Sequence, residues 1–414
     1  MSNQLLTPDL IAAEALVQLE NNLVMGNLVY RDVESMFGVV PKAGATVRIR
    51  RPVQFTVRSG AVAQVQNVDE GNTNITVDRQ RGVDFQFSST DLTLDIERFS
   101  ERYIKPAMIQ IANQIDLDVL TEGYKRSYNW VGTPGQTINS YTDFILGPQR
   151  LDNGAVPKDN RHAVLNPDNY WGMVGGFGNG ANFFQPDITR TAVERARLPM
   201  LGGIDAFMSQ NVVTHTVGAY AGSPLVRGAD QNVAYDTVMA TPYLSQTLQT
   251  DGWTGSRVLN AGDVFTIDGV FAVNPVSKAV LPYNQQFVVI DSVTTAASSS
   301  NATEITISPA IITSGPYQTV NTAPLNDAPI TYLGTASTGY SQNIVFHRNA
   351  IALAVVPMDL PMGAAYKARQ TKNGFSVRLV NTYDGTNDNN IWRFDVLYGV
   401  RTIDNRLITR LSGT

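Results

Sequence analysis

Three histidines are the residues best suited to acid–base or metal chemistry: His162, His215 and His347. They are isolated from one another along the chain, and no two have the close spacing of paired metal ligands such as His-x-x-x-His. The chain has no cysteine, which excludes thiolate nucleophiles, disulfides and cysteine-bound zinc. We therefore expect the three histidines to be structural or surface residues.

Other motifs that could support catalysis are incomplete. The glycine-rich segment 175–180 resembles a phosphate-binding loop but lacks the Gly-Lys-Ser/Thr ending, so we interpret it as a mobile or interface loop. No Gly-x-Ser-x-Gly motif is present, and no pair of acids is singled out by its spacing. The acidic segment 384–389 lacks the alternating ligands and distal Glu of a calcium loop. The sequence predicts no catalytic residue, no cofactor and no metal ion.

The amino-acid composition and net charge limit the classes of function that this chain can have. The 414 residues carry a net charge of -5, which weighs against a dedicated nucleic-acid reader because such proteins have a basic excess. Charged residues make up only 16%, which suggests that much of the surface contacts other proteins. No run of about 18 apolar residues occurs, and the N-terminus does not resemble a secretory signal. We expect a soluble protein made in the cytoplasm, without a membrane partner.

The elements that would position functional residues begin with an arm, 1–43. Thr7-Pro8-Asp9 is typical of a helix start, and the amphipathic helix that follows is expected to end near Gly26. Because the helix precedes any obvious core, we interpret it as an arm that contacts a neighbour or a partner protein. Docking on its own domain is the alternative. The predicted contact residues of the arm are Leu10, Leu16, Leu19 and Leu23.

In residues 44–90, apolar residues recur at every second position in several segments. Segments 46–50, 76–78 and 83–87 alternate apolar and polar residues, and 59–67 between them is poor in large side chains. This pattern predicts a long hairpin with a packed base and a projecting tip. Since such a hairpin is unstable alone in water, we expect it to lie on another surface. The predicted contact residues are Arg58, Ser59, Gly60, Val62, Val65, Asp69 and Glu70.

Basic residues on the hairpin arms raise the question of nucleic-acid binding. No stacking aromatic residues are interleaved with them, which argues against a single-strand binding groove. We interpret them as cross-strand or intersubunit ion pairs with the nearby acids. The basic residues are Arg48, Arg50, Arg51, Arg58, Arg79 and Arg81, and the acids are Asp69, Glu70, Asp78 and Asp84.

A long helix should follow the hairpin. Six apolar residues spaced by four would form one ridge along it: Phe99, Tyr103, Ala107, Ile111, Ile115 and Val119. Proline is tolerated in a first helical turn and poorly in a helix interior, and Pro106 interrupts this ridge. We therefore predict a turn or short helix before Ile104 and a straight helix from Lys105 or Pro106 to about Tyr124, roughly 30 Å long.

Short strands dominate 230–345. Strands are predicted at 263–267, 271–273, 287–290, 304–307 and 330–333, with turns at 268–269, 274–275, 298–301 and 314–316. Such spacing is typical of a small barrel or sandwich, with 296–303 as a flexible tip. The chain then returns through a buried strand at 350–356 and alternating strands at 375–380 and 391–400, the last two joined by a hairpin turn at 384–389.

This order of elements resembles the Hong Kong-type major capsid fold of tailed bacteriophages, an α+β fold. More narrowly, the chain is similar to coat proteins of short-tailed phages that carry an inserted β-barrel domain. The segments that carry the resemblance are 100–107 leading to Leu117-Asp118, 166–170, 260–270 and 397–401. The regions it implies are an N-terminal arm (1–43), an extended loop (44–90), a spine helix with peripheral domain (91–130), an axial domain (131–229), an inserted β-barrel domain (230–345) and return strands completing the peripheral and axial domains (346–414).

The resemblance implies a structural role in the virion and no enzyme activity. Copies would assemble as hexamers and pentamers of an icosahedral shell around double-stranded DNA, with the extended loop across a neighbouring subunit and the insert facing outward. Further implied partners are a scaffolding protein, a portal, possibly a decoration protein, and packaged DNA through non-specific contacts. Synthesis would take place in the host cytoplasm, and a scaffold-templated precursor would mature by subunit rearrangement.

Some relatives cross-link a lysine of the extended loop to a neighbour's asparagine. This sequence has no lysine between Ala43 and Thr90, so we expect no such bond through the loop. Two alternatives stay open: an encapsulin-like protein compartment, and a non-shell virion component with carbohydrate-directed enzyme activity.

Overall fold

The computed structural model describes most of the chain, in two compact units. Residues named above that lie outside the described part include Thr7, Asp69, Phe99 and 179–180. The described residues are 8–32, 46–63, 65–66, 70–88, 100–178, 198, 200–238, 242–364 and 366–414. Unit 1 comprises Met1–Arg48, Asn74–Val119 and Ile351–Arg401, and unit 2 comprises Ile49–Thr73, Leu120–Ala350 and Thr402–Thr414.

Both helices and strands are well represented, which confirms the predicted α+β class. The α-helices are α1 (Pro8–Asn22), α2 (Met25–Leu28), α3 (Lys105–Arg126), α4 (Tyr141–Asn153), α5 (Pro167–Gly178) and α6 (Tyr235–Val238). Ser100–Ile104 is a π-helical turn, and the 3-10 turns are Pro242–Leu244, Arg348–Ala350 and Asn405–Leu407. The strands are β1 (Thr46–Arg50), β2 (Asn72–Thr76), β3 (Arg79–Ser88), β4 (Asn129–Val131), β5 (Arg161–Leu165), β6 (Asp205–Met208), β7 (Thr214–Thr216), β8 (Gly222–Val226), β9 (Gln246–Trp253), β10 (Val258–Leu259), β11 (Val264–Val273), β12 (Val280–Val289), β13 (Val293–Thr294), β14 (Thr303–Ser308), β15 (Ile330–Tyr332), β16 (Gly339–Ser341), β17 (Asn343–His347), β18 (Ile351–Val356), β19 (Tyr366–Lys372), β20 (Phe375–Asp384), β21 (Asn389–Thr402) and β22 (Ile408–Leu411).

Unit 1 contains a five-stranded sheet covered by the N-terminal helix. Its order is β18-β21-β20-β19, with β3 paired to β21. The predicted hairpin between the return strands is confirmed, because Asp384 pairs with Asn389 at its closed end. Helix α1 packs on β19 and β20 and buries Leu16 and Leu19 there. The apolar stripe of α1 therefore has its partner in the same unit.

The predicted long helix is confirmed as α3, which starts at Lys105 and ends at Arg126. Pro106 lies in its first turn, where a missing backbone N–H removes no intrahelical hydrogen bond. Ala107, Ile111, Ile115 and Val119 are all buried, as expected for one ridge facing a core. The turn predicted before Ile104 is present as the π-helical segment.

Unit 2 contains a five-stranded sheet of order β4-β22-β17-β5-β6 and a separate six-stranded sheet of order β15-β11-β12-β14-β9-β8. The end strands of the larger sheet meet through a bridge between Leu225 and Pro329, so the sheet closes on itself as a small barrel. Trp253, Phe265 and Phe287 lie in its interior. The barrel starts at β8, which lies before the predicted insert boundary at residue 230.

Two local predictions in unit 2 are wrong. A turn was expected at Asp268-Gly269, but β11 runs through both residues with a register shift, and Gly269 adopts a φ of +76°. An irregularity of the strand pairing between Thr266 and Phe271, which accommodates a glycine with positive φ, therefore replaces the turn. The glycine-rich segment was expected to be a loop, but α5 is helical through Gly178. A Cβ on Gly176 would lie 1.9 Å from the carbonyl oxygen of Asn139, so glycine here permits close packing.

Candidate intersubunit surface

The base of the predicted hairpin is held by pairs within the chain. Strands β1 and β2 form its two-stranded stem. At the end of the stem, the Nε of Arg51 donates to the Oγ1 of Thr73 at 2.9 Å, and a nitrogen of Arg50 lies 3.2 Å from a carboxylate oxygen of Glu70. Glu70 therefore forms a cross-strand ion pair, one of the two arrangements expected from the sequence.

Further out, the two arms are joined by one polar rung between Thr56 and Gln66. The side-chain oxygen of Gln66 accepts from the Thr56 N–H at 2.9 Å, and its amide nitrogen donates to the Thr56 carbonyl at 2.6 Å. Beyond this rung, Val57, Val62 and Val65 are 99%, 82% and 92% exposed. We call residues 57–65 the hairpin tip. Exposed apolar side chains that lie close together are typical of protein–protein contact sites.

The hairpin is partly supported by its own chain. The backbone N–H of Gln54 donates to the hydroxyl of Tyr317, at 3.0 Å. The base of the hairpin therefore has a contact within its own unit, while the contact of the tip with a neighbouring subunit stays a prediction. Arg58, at the tip, donates to the carbonyls of Gly60 and Val62. Arg58, Ser59, Gly60, Val62 and Val65 are exposed, so they stay available for the predicted contact.

Three of the four predicted arm residues are buried within their own unit. Leu16, Leu19 and Leu23 are at most 5% exposed, whereas Leu10 is 54% exposed. For Leu16, Leu19 and Leu23 the alternative applies, in which the helix docks on its own domain. The apolar face of α1 is covered by β19 and β20. Only Leu10, among these leucines, offers an exposed side chain for the predicted arm contact.

Two arginines of β3 form ion pairs with one acid of helix α3. Nitrogens of Arg79 and Arg81 lie 3.4 Å and 3.3 Å from the same carboxylate oxygen of Asp118. The hydroxyl of Tyr398 donates to that oxygen at 2.7 Å. The sequence pattern predicted ion pairs for these two arginines. It did not identify their partner Asp118, because that residue lies in helix α3.

Two of the three histidines, His215 and His347, are buried, and His162 is partly buried. The Nε2 of His215 lies 2.9 Å from a carboxylate oxygen of Asp263, and both side chains are almost fully buried. Burial lowers the pKa of His215, and the hydrogen bond to Asp263 opposes that shift. Burial also lowers the pKa of His162 and His347, on paired strands β5 and β17. Within the described residues, no cluster of His, Asp and Glu could hold a metal ion.

Two buried carboxylates were not singled out from the sequence. Burial raises the pKa of Asp116 to about 6, although backbone N–H groups oppose the shift. Burial also raises the pKa of Asp395, but hydrogen bonds from Arg378 and Arg393 outweigh it and leave that pKa below its usual value. Both acids accept hydrogen bonds from partners within unit 1, so they stabilise the fold. No helix in the described part of the chain is long and apolar enough to span a membrane.

Comparison with known proteins gives one family and several relatives. The family described as "P22 coat protein - gene protein 5" matches residues 3–409. A "Major capsid protein" of Acyrthosiphon pisum secondary endosymbiont phage 1 is 24% identical over 278 residues, and the match spans 64% of this chain and 64% of that relative, less than two thirds of its length. A solved structure titled "Mycobacterium phage Che8" covers 94% of this chain and 90% of its own, with 11% identity and a TM-score of 0.49. The "CUS-3 coat protein I-domain" covers 28% of this chain and 98% of its own, with 27% identity and a TM-score of 0.20.

Proposed function

Because the chain belongs to the P22 coat protein family, we propose that it is the major capsid protein of a phage and that its copies assemble into an icosahedral shell. The predicted resemblance to phage coat proteins is confirmed by the match over residues 3–409. The structural observation that best supports assembly is the hairpin tip, where three valines are almost fully exposed. Such a tip is unfavourable in an isolated molecule and favourable when it lies on an adjacent copy.

The tip would contribute through apolar burial repeated at every subunit. Covering one exposed valine stabilises a contact by about 1.5 kcal/mol, so each tip contributes a few kcal/mol. No lysine lies between Ala43 and Thr90, so the proposed contact of this loop is non-covalent. Shell strength then arises from many modest contacts in hexamers and pentamers. The role is structural, without catalysis.

Further partners belong to the same proposal. The shell would enclose double-stranded DNA through non-specific contacts and would be completed by a portal and a decoration protein. A scaffolding protein would template a precursor in the host cytoplasm, and maturation would shift subunits between two packings. The exposed Leu10 of α1 offers one apolar contact for such a partner.

Replacing the three tip valines tests the proposal. We expect wild-type protein to form shells or capsomers in negative-stain microscopy and sedimentation velocity. The variant V57S/V62S/V65S should remain a folded monomer, because these side chains are exposed and contribute little to the isolated fold. Val276→Ser is a matched control, since Val276 is 77% exposed in the insert.

Two results would contradict the proposal. A wild-type protein that stays monomeric at every concentration would remove the capsid function. Closed shells formed by the triple variant at the wild-type yield would remove the hairpin tip as the contact. A Val276→Ser variant that fails as completely as the triple variant would show that the effect is not specific to the tip.

A further inference from the structure

The base of the hairpin touches one tyrosine pair of unit 2. The hydroxyl of Tyr317 accepts a hydrogen bond from the Gln54 N–H. The ring of Tyr317 stacks on Tyr235, with centroids 3.5 Å apart and planes 6° apart. A Cβ placed on Gly71, in the other arm, would lie 3.0 Å from the hydroxyl oxygen of Tyr235. The two rings therefore lie against both arms of the hairpin.

The tyrosine pair is itself fixed by the inserted region. Tyr235 and Tyr317 pack against a small buried cluster of Val238, Ala310 and Ile312. The turn before Tyr317 is attached a second time, because the ammonium group of Lys278 donates to the carbonyl of Pro316. The pair thus offers the hairpin a support that is anchored in a hydrophobic core.

The hairpin is incompletely packed between its stem and its rung. A cavity of about 210 Å³ lies beside the base, and its wall includes Pro52, Gln54, Tyr317 and Arg406. Close packing is therefore incomplete at this place. The Thr56–Gln66 rung ties the two arms to each other. The hydrogen bond to Tyr317 and the contact with Tyr235 therefore help to set the direction of the hairpin.

We infer that Tyr317 and Tyr235 are positioning residues, which set the direction in which the hairpin projects and hence where its tip meets the next subunit. The inference rests on the proposed function, because a direction matters only if the tip binds another copy. It assigns the inserted region a role in aligning the intersubunit contact from within the same chain. A small change of direction at the base is enlarged at the tip and repeated in every subunit of a shell.

Removing one hydroxyl group tests this inference. Tyr317→Phe keeps the ring stack but deletes the acceptor of the Gln54 N–H. Tyr332→Phe is the matched control, because Tyr332 is buried in the barrel and its hydroxyl has no hydrogen-bond partner among the described residues. The two readouts are hydrogen–deuterium exchange of the Gln54 amide in the monomer and the fraction of protein in closed shells.

We expect Tyr317→Phe to increase the exchange rate of the Gln54 amide about fivefold or more, as for loss of one ordinary hydrogen bond. Closed shells should decrease in favour of open or irregular assemblies, while exchange in the barrel strands stays as in the wild type. Tyr332→Phe should leave the Gln54 amide and the closed shells unchanged.

Either of two results would overturn the inference: an unchanged exchange rate at Gln54, or faster exchange together with a wild-type fraction of closed shells. Failure of the proposed function is distinguishable, because then the wild type itself forms no shells. In that case the positioning role for assembly also fails, although exchange at Gln54 still reports whether the contact exists.

Discussion

The carboxylate of Asp116, in the spine helix, accepts a hydrogen bond from the backbone N–H of Val24 at 2.8 Å. Its second oxygen accepts from the N–H of Gly26 at 3.0 Å. Val24 precedes α2 and has no side-chain cap of its own, so an acid about 90 residues away supplies the cap. The N-terminal segment is thereby attached to α3 within unit 1.

This buried carboxylate makes the stability of unit 1 depend on pH. The folded pKa of Asp116 is about 6, against 3.8 for an exposed group. A raised folded pKa means that the stabilising contribution is complete below 3.8 and is lost as the pH rises through 6. The difference corresponds to about 3 kcal/mol. The unfolding free energy of the wild type minus that of Asp116→Asn should fall by most of this amount between pH 4 and pH 7, measured by urea unfolding.

Asp9→Asn is the matched control for this series, because Asp9 is an exposed acid on the same N-terminal segment. It should leave the pH dependence of the wild type in place. If Asp116→Asn and the wild type keep a constant difference in unfolding free energy, Asp116 does not titrate in this range.

Asp395 should be necessary for the sheet of unit 1. Its carboxylate accepts from Arg378 at 2.6 Å and from Arg393 at 2.8 Å, and it is 1% exposed. Asp395→Ala removes the shared anion of Arg378, which is 15% exposed, and of Arg393, which is 46% exposed, so we expect a loss of about 1.5–3 kcal/mol in unfolding free energy. Asp384→Ala, at the exposed turn of the β20–β21 hairpin, should cost far less. Equal losses in chemical unfolding would refute the importance of the buried network.

Neighbouring glycines of α5 should respond in opposite directions to alanine. A Cβ on Gly176 would lie 1.9 Å from the Asn139 carbonyl oxygen, whereas a Cβ on Gly175 would meet nothing within 4 Å. We expect Gly176→Ala to destabilise the protein by about 1–3 kcal/mol or more through overpacking. Gly175→Ala should stabilise it by up to about 1 kcal/mol, because alanine favours a helix interior. Thermal unfolding of the two variants measures this, and similar midpoints would show that the close approach is absent.

Acidification should weaken unit 2 through its histidines. Burial lowers the folded pKa of His162, His215 and His347 below 6.5, so their contribution to stability is present above pH 6.5 and is lost as the pH falls below it. Amides of unit 2 should therefore exchange faster at pH 5 than at pH 7, after correction for intrinsic rates. The variant H162Q/H215Q/H347Q should show a smaller dependence. An unchanged dependence in that variant would assign the effect to other groups.

Several elements could be predicted from the sequence because their signals are local. The four-residue spacing from Ala107 to Val119 is a property of one helix, and Pro106 marks its first turn. Alternation along 375–380 and 391–400 indicates strands whichever surface covers them, and the turn between them limits their pairing. The order of such elements was enough to indicate the coat protein family.

The sequence does not determine which surface covers an apolar stripe. The stripe of α1 is visible in the sequence, but Leu16 and Leu19 are equally suited to a neighbouring subunit or to β19 and β20 of the same chain. Likewise, glycines near residue 176 suggest a loop until Asn139 is seen to approach the helix. Local periodicity states which face is apolar, and only the tertiary structure decides what lies on it.

Hydrogen-bond partners were decided entirely by the tertiary structure. His215 with Asp263 and Gln54 with Tyr317 join residues 48 and 263 positions apart, and no pattern in the sequence relates them. A polar side chain can bond to any complementary group within about 3 Å, and proximity in space depends on the path of the whole chain. The sequence by itself therefore determined the types and order of the elements, while folding determined which buried charges and supports meet.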